Sequence, residues 1–186
     1  MSKAVFLDRD GTINVDTGYV AEISDLEFER KAIEGLKAFQ EMGYKLIIIT
    51  NQGGIARGYH TEEETQQFND ELCRRLRAQN VGICAVYYCP HYKEGSVQEY
   101  VKECFCRKPE IGMIQKALEA HHDIDLKKSI FIGDTTRDVE TGRRAGCRTI
   151  LVRTGKGGKD GLFDVQADFV ADDLVEAAKL VRNIKN

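Results

Sequence analysis

Asp8 and Asp10 stand two residues apart at the end of the apolar run Ala4-Val5-Phe6-Leu7, and Gly11-Thr12 follow them. Paired carboxylates supply a nucleophile, a proton donor and acceptor, or oxygen ligands for a hard divalent cation. Further along, Thr50-Asn51-Gln52-Gly53-Gly54 follows the apolar run Leu46 to Ile49 and offers a hydroxyl, amides and unhindered backbone N–H groups. Lys108 precedes Pro109, which biases it to an extended conformation just ahead of a helix. Gly133-Asp134-Thr135-Thr136-Arg137-Asp138 follows Ile130 to Ile132. Each piece also has an ordinary reading: a solvated acidic loop, an Asn-Gly-type turn, a solvated lysine, and a helix start with Thr135 and Asp138 as its capping box. Together they bring acid, hydroxyl, lysine and acid, in chain order, to three strand ends and a helix entrance.

The elements that must position these groups read as an alternation. The first run shows no polar alternation, as in a parallel strand buried on both faces, and ligands of such sheets bind outside the carboxyl ends of the strands. A helix follows over Ala32 to Met42, with Ile33, Leu36, Phe39 and Met42 on one face and Gly43 as its stop, and then a strand over Lys45 to Ile49. Thr61 and Glu64 form a capping box that opens a helix to about Gln79, and Ile83 to Tyr88 reads as the next strand. Cys89 to Pro109 is irregular. After it come a helix from Ile111 to about His121, a strand from Ser129 to Ile132, a helix from Thr135 to Ala145, a strand from Arg148 to Val152, a short strand near Ala167 to Val170 and a last helix from about Asp172. This rhythm predicts an α/β fold, a parallel sheet with helices on both faces. Gly155 to Gly161 lacks the Gly-Lys-Ser/Thr spacing of a phosphate loop and reads as an exposed flexible loop.

At 186 residues the chain is expected to form one domain over 1–186, able to bury roughly two-thirds of its unfolded surface without disulfides. Hydrophobic residues make up 42% and charged residues 31%, with a formal net charge of −3, a balance that argues against nucleic acid as the partner. Asp8 and Asp10 interrupt the N-terminal apolar stretch, and no run reaches the roughly eighteen residues of a membrane span. A cytoplasmic location, no membrane partner and a monomer are therefore the expectations. The six cysteines read as reduced thiols. Cys89 and His91, then twelve residues, then Cys104 and Cys106 make a four-ligand inventory suited to tetrahedral structural zinc, with incidental reduced cysteines as the alternative. Such a zinc loop, about 89–106, would end immediately before Arg107 and Lys108. Cys73, Cys84 and Cys147 read as small core residues, and His121 and His122 as helix-end or exposed groups.

In their order, Asp8-x-Asp10-Gly11-Thr12, Thr50, Lys108 and Gly133-Asp134-Thr135-x-x-Asp138 resemble the four motifs of the haloacid dehalogenase (HAD) superfamily of phosphatases, over essentially the whole chain. The resemblance implies a Rossmann-like fold and Mg²⁺ held by the Asp8 carboxylate, the Asp10 backbone carbonyl and Asp134. It implies Asp8 as nucleophile, Asp10 as acid and then base, and Thr50 and Lys108 on the phosphoryl oxygens. Asp138 is left with three readings: support of the cation, orientation of Lys108, or capping alone. Thr12 to Ala32 is too short for a large cap domain, and Gly53 to Lys108 is accounted for by one helix, one strand and the zinc loop. The site is thus expected to be open, with the loop providing discrimination.

A narrower resemblance rests on Asp8 to Asn14, Gly18-Tyr19-Val20, Thr50 to Gly58, the two Cys/His pairs and Cys106-Arg107-Lys108-Pro109. These are similar to the D-glycero-D-manno-heptose 1,7-bisphosphate phosphatases, whose zinc loop is shared with the histidinol-phosphate phosphatases. The implied reaction is removal of the C7 phosphate from a small phosphorylated sugar, with histidinol phosphate as the alternative substrate. Asp16, Thr17, Gly18, Tyr19, Asn51, Gln52 and Gly53 are then expected to line the substrate site. Arg57 and Arg107 suit the second phosphate, for which bidentate cations are apt. Where related phosphatases carry lysine after the metal-binding aspartate, Thr135 stands here, which leaves that contact open. A DNA 3′-phosphatase is disfavoured by the acidic balance. A non-hydrolytic phospho-aspartate signalling module is disfavoured by the Asp-x-Asp-Gly-Thr run.

Overall fold

A computed structural model describes residues 1–183, and in it the alternation becomes six strands and six α-helices. In chain order they are β1 (Lys3–Leu7), α1 (Ala32–Glu41), β2 (Tyr44–Asn51), α2 (Gly54–Arg57), α3 (Glu62–Ala78), β3 (Ile83–Cys89), α4 (Gly112–Ala120), β4 (Ile130–Gly133), α5 (Thr136–Ala145), β5 (Arg148–Val152), β6 (Phe169–Ala171) and α6 (Leu174–Asn183). The sheet runs β3-β2-β1-β4-β5-β6 with every pair parallel. The chain winds outward from β1 to β3 and then crosses back to β4, so the winding direction reverses beside β1. A crevice opens at such a reversal, outside the strands' carboxyl ends. Asp8 and Asp134, each one residue past the end of β1 and β4, lie there, with Thr50 near the end of β2.

Both faces of the sheet are covered, which is why the strands lack alternation. Val5 and Leu7 join a core with Leu36, Phe39, Phe68, Leu72 and Leu174 of α1, α3 and α6. Ala4 and Phe6 join a second core with Met113, Ile114 and Ala117 of α4 and Ala145 of α5. Each fully buried Leu, Ile or Phe contributes about 1.5–3 kcal/mol relative to exposure. The α3 capping box forms as the spacing predicts: the Glu64 N–H donates to Thr61 Oγ1 at 3.1 Å and the Thr61 N–H to Glu64 Oε2 at 2.7 Å.

The segment Thr12 to Ala32 holds one short 3₁₀ turn at Ile23–Asp25, and no cap domain separates Gly53 from Lys108. β2 runs two residues beyond the predicted Ile49 because its end pairs with β3, Asn51 opposite Cys89. One core expectation fails: Cys84 is exposed and Cys73 only half-buried, whereas Cys147 is buried. β3 is an edge strand, and Cys84 falls at a register shift where it is skipped: Ile83 stands opposite Leu46 and Ala85 opposite Ile47. The single-domain reading includes 184–186, which lie outside the described residues. Among the described residues no helix is long and apolar enough to cross a membrane.

Candidate active site

β1 delivers Asp8 beside β4, where the Asp8 N–H donates to the Ile132 carbonyl at 2.9 Å. The Arg9 carbonyl then accepts from Thr12, Ile13 and Asn14, closing the turn that Gly11 makes possible at φ +80°. Asp8 Oδ1 receives the Arg9 N–H at 2.7 Å and the Lys108 ammonium at 2.8 Å. Lys108 is 3% exposed and also donates to Asp138 Oδ1 at 2.6 Å. Its backbone is fixed from β2: the Lys108 N–H donates to Asn51 Oδ1 at 3.0 Å, and Asn51 Nδ2 donates to the Lys108 carbonyl at 3.2 Å. Asp138 both caps and orients. Its Oδ2 accepts the Thr135 N–H in the α5 capping box while Oδ1 holds Lys108.

One ammonium therefore serves several carboxylates. Oxygens of Asp8, Asp134 and Asp138 lie within 4.8 Å of one another. Burial, and then the charge of Asp138, push the Asp8 carboxyl well above its ordinary value against the opposing pull of Lys108. Burial and Asp138 push Asp134 up to about 7. Burial alone would lower the Lys108 ammonium, but Asp138 and Asp8 outweigh it and raise it. Asp134 Oδ2 accepts the Lys156 N–H at 2.7 Å, whereas Asp134 Oδ1 is buried with no hydrogen-bond partner. Excess negative charge and an orphaned carboxylate oxygen fit a hard divalent cation bound by oxygen ligands.

Asp10 is held separately. Arg9 grips it with Nε on Oδ1 at 3.0 Å and Nη2 on Oδ2 at 3.1 Å, while Asn14 Nδ2 donates to Oδ1 at 3.0 Å and Gln52 Nε2 to Oδ2 at 2.8 Å. Gln52 Nε2 also donates to Thr50 Oγ1 at 2.9 Å, which leaves the threonine O–H free to donate elsewhere.

A second cluster lies beyond β3. One ligand atom from each of Cys89, His91, Cys104 and Cys106 falls within 4.8 Å of the others, and the sulfur of Cys106 is 3.1 Å from that of Cys89 and 3.2 Å from that of Cys104. His91 presents Nδ1, 3.3 Å from the Cys106 sulfur. Three thiols and an imidazole converging on one point fit a four-coordinate metal. Next to them Arg107 Nη1 donates to the His91 carbonyl at 2.9 Å, which links the cluster to the segment that carries Arg107 and Lys108.

Residues 105–177 match the HAD-hydrolase-like family model. A curated D-glycero-beta-D-manno-heptose-1,7-bisphosphate 7-phosphatase from Haemophilus influenzae is 41% identical over 189 residues, covering 100% of both chains. The chain belongs to this family of HAD-like phosphatases. A D-glycero-alpha-D-manno-heptose-1,7-bisphosphate 7-phosphatase from Photorhabdus laumondii is 47% identical over 154 residues, 82% of this chain and 84% of that one. In shape the chain is similar to the D,D-heptose 1,7-bisphosphate phosphatase of B. bronchiseptica, solved with magnesium and phosphate, with TM-score 0.83 and 26% identity over 98% of this chain and 99% of that one. Metal dependence goes with membership.

The crevice that this family membership makes the candidate active site is a cavity of about 340 Å³. Asp8, Asp10, Thr50, Lys108 and Asp134 line it, as do Asp16, Gly18, Tyr19, Asn51, Gln52, Gly53, Arg57 and Arg107, whereas Thr17 is not among its lining residues. The Arg57 guanidinium lies 4.1 Å from the centre of the Tyr92 ring and that of Arg107 4.7 Å from it, which orders both arginines without neutralising them. Burial, and then the neighbouring charge of Arg137, lower Arg107 below its usual value. Tyr92, Arg137 and Lys156 line the cavity without having been singled out from the sequence. An aromatic beside a candidate metal ligand and a cation in the first turn of a capped helix were the available signals for the first two.

Lys156 adds to another expectation: the glycine-rich stretch around it is exposed at Gly155, Lys156, Lys159 and Gly161, as read from the sequence, but it is not separate from the site. Gly155 to Gly161 is built into the site: Thr154 Oγ1 donates to the Gly11 carbonyl at 2.7 Å, the Lys156 N–H to Asp134 Oδ2, and the Gly158 N–H to the Asp134 carbonyl at 2.7 Å. Its glycines permit contact. A Cβ on Gly155, already at φ +52°, would collide with Asp134 Oδ2 and the Gly11 backbone.

Proposed function

We propose that this protein removes the C7 phosphate of D-glycero-D-manno-heptose 1,7-bisphosphate by way of an aspartyl phosphate on Asp8. The observation that carries the reading is the division of the two strand-end carboxylates: Asp8 faces Lys108 and Asp134, while Asp10 is anchored by neutral amides and Arg9 at the cavity wall. Two carboxylates in different surroundings take different roles.

Asp8, the Asp10 backbone carbonyl and Asp134 would hold Mg²⁺, which supplies neutralisation of the phosphate dianion. The Asp8 carboxylate attacks phosphorus in line with the C7 oxygen, and the P–O bond to that oxygen breaks. Asp10 gives its proton to the departing alkoxide. It then takes a proton from the water that attacks the aspartyl phosphate, which frees inorganic phosphate and restores Asp8; such proton transfers are worth roughly 10²–10⁴-fold. The Thr50 hydroxyl and the Lys108 ammonium donate to the equatorial oxygens, where charge spreads in the transition state. Arg57 and Arg107 receive the second phosphate, and Asp16, Gly18, Tyr19, Asn51, Gln52 and Gly53 surround the sugar.

Cys89, His91, Cys104 and Cys106 would hold structural Zn²⁺, which pins the loop that carries Arg107 and Lys108. The enzyme acts as a cytoplasmic monomer of one domain. A cationic wall containing Arg57, Arg107 and Arg137 disfavours histidinol phosphate, whose amine and imidazole carry positive charge.

The test is magnesium-dependent phosphate release from the heptose bisphosphate and from histidinol phosphate, measured side by side with Asp8→Asn as the blank. The expected result is a kcat/KM at least about tenfold higher for the heptose, roughly 1.4 kcal/mol of transition-state discrimination, with both anomers compared. A preference for histidinol phosphate would overturn the substrate, and normal turnover by Asp8→Asn would overturn the mechanism.

A further inference from the structure

Arg9 lies between the two strand-end aspartates and is wholly buried, with 0% exposure. A buried guanidinium is costly unless paired and fully hydrogen-bonded, and its satisfaction here is divided between two ends. At one end Nη1 donates to Asn69 Oδ1 on α3 at 2.8 Å, Nη2 donates to the Val20 carbonyl at 3.0 Å, and the guanidinium lies 4.5 Å from the centre of the Phe68 ring. At the other end Nε and Nη2 form the fork on Asp10. The anchoring end is fixed to the packed core, since Phe68 is 0% exposed and Asn69 2%. The gripping end reaches the cavity, where the Asp10 side chain is 19% exposed. A fork of this kind fixes the plane of a carboxylate as a single point charge does not.

We propose that Arg9 is the positioning residue of the acid/base carboxylate: it transmits the rigidity of α3 and of the Val20 loop to Asp10 and keeps that carboxylate aimed at the leaving oxygen. It touches no substrate and acts only through Asp10. Asp8 is held by the Lys108 ammonium and by the Arg9 backbone N–H, which any side chain at position 9 retains, so the fork bears on proton transfer and leaves the nucleophile in place.

This inference rests on the phosphatase reading but not on the identity of the sugar. The test compares kcat/KM for two phosphate esters in the magnesium-loaded protein. A sugar phosphate leaves as an alkoxide that must be protonated, whereas p-nitrophenyl phosphate leaves as a phenolate that needs no proton; kcat/KM reports events only up to that departure. Arg9→Lys keeps the charge and removes the fork. It is expected to lower kcat/KM for the sugar phosphate about tenfold or more, and for the aryl phosphate less than about threefold. In the Arg9→Lys/Asp10→Asn double variant the sugar-phosphate loss should not exceed that of Asp10→Asn alone, because the two residues act as one unit.

Equal losses on both esters, or additive losses in the double variant, would overturn the proposal and reduce Arg9 to a structural ion pair. Should Arg9→Lys fail to unfold cooperatively, Asn69→Ala tests the same anchor from α3, with the same selective loss expected and an unselective one overturning it. A wild-type protein inert toward both esters would defeat the phosphatase reading itself.

Discussion

Lys108 is a buried cation shared by the buried Asp138 and by Asp8, whose side chain is 13% exposed, and neither half of the arrangement is stable alone. Removing one partner of a buried pair leaves an uncompensated charge, a loss of about 3–5 kcal/mol. Lys108→Met should therefore destabilise the magnesium-free protein by about 3 kcal/mol or more in urea unfolding, and Lys108→Met/Asp138→Asn should recover part of the loss. Its activity should fall by about 10²–10³, the usual effect of deleting a transition-state donor. Unchanged urea midpoints would show that Asp8 and Asp138 do not depend on the lysine. His60 presents the opposite case, a buried base kept neutral. Its Nε2 is buried without a hydrogen-bond partner and Nδ1 lies 3.0 Å from Thr65 Oγ1; burial lowers the imidazole below its usual value of 6.5. A base whose folded-state pKa is lowered binds fewer protons folded than unfolded, so its contribution is present above about pH 6.5 and lost as pH falls below it. Between about pH 7.5 and 5.5 the Tm of His60→Asn should fall less than that of the wild type. Parallel curves would exclude His60 as a source of acid sensitivity.

Among the elements, the glycine-rich loop after β5 shows where reading from residue types stops. The capped starts of α3 and α5 and the doubly buried strands were legible because their signals are local: a hydroxyl three residues before an acid, or an apolar run without alternation. Asp8, Thr50, Lys108 and Asp134 were legible as a set because each sits at the exit of such a strand or just before a helix. Strand order was not, since it is fixed by long-range packing, and with it went the register shift between β2 and β3 at which Cys84 is left exposed. Nor was the clasp on Asp134, because the groups that make it are backbone N–H groups of Lys156 and Gly158, which every sequence contains. Only its glycines hinted at contact. Gly155→Ala would strain a φ of +52° by about 1–2 kcal/mol and force a methyl group toward Asp134 Oδ2. Displacing a group that orients a metal ligand typically costs 10–100-fold in affinity. Half-maximal activity in Gly155→Ala should accordingly require about tenfold more magnesium, with little change in KM for the sugar. An unaltered magnesium titration would mean that the clasp is only a loop closure.

At the scale of the whole molecule, the sheet and the Cys/His loop perform separable tasks. Asp8, Asp10, Thr50 and Asp134 belong to strand ends set in a continuous core, whereas Arg107 and Lys108 arrive at the crevice from a segment with little core of its own. That segment is tied to the body through the Ser96 and Val97 N–H groups, which donate to the Ala56 carbonyl at 3.0 Å, and through Cys89, buried at the end of β3. The Tyr100 hydroxyl donates to Glu62 Oε2 at 3.0 Å as a further tie, Cys89, His91, Cys104 and Cys106 converge within the segment, and zinc bound there, as proposed, would close the loop at both ends. Stripping that metal with a zinc-selective chelator, magnesium being kept in excess, should thus leave the β-sheet intact while releasing the loop. The expected signature is a near-native far-UV circular dichroism spectrum, new proteolytic cleavage between residues 92 and 103, and a fall in activity that added magnesium does not reverse but added zinc does. Because Arg107 donates to the loop's His91 carbonyl whereas Lys108 keeps its Asn51 and Asp138 partners, affinity for the second phosphate should drop more than kcat. Full activity in zinc-free protein would detach the cluster from the active site. Loss of the circular dichroism spectrum would instead make the metal a condition of the whole fold.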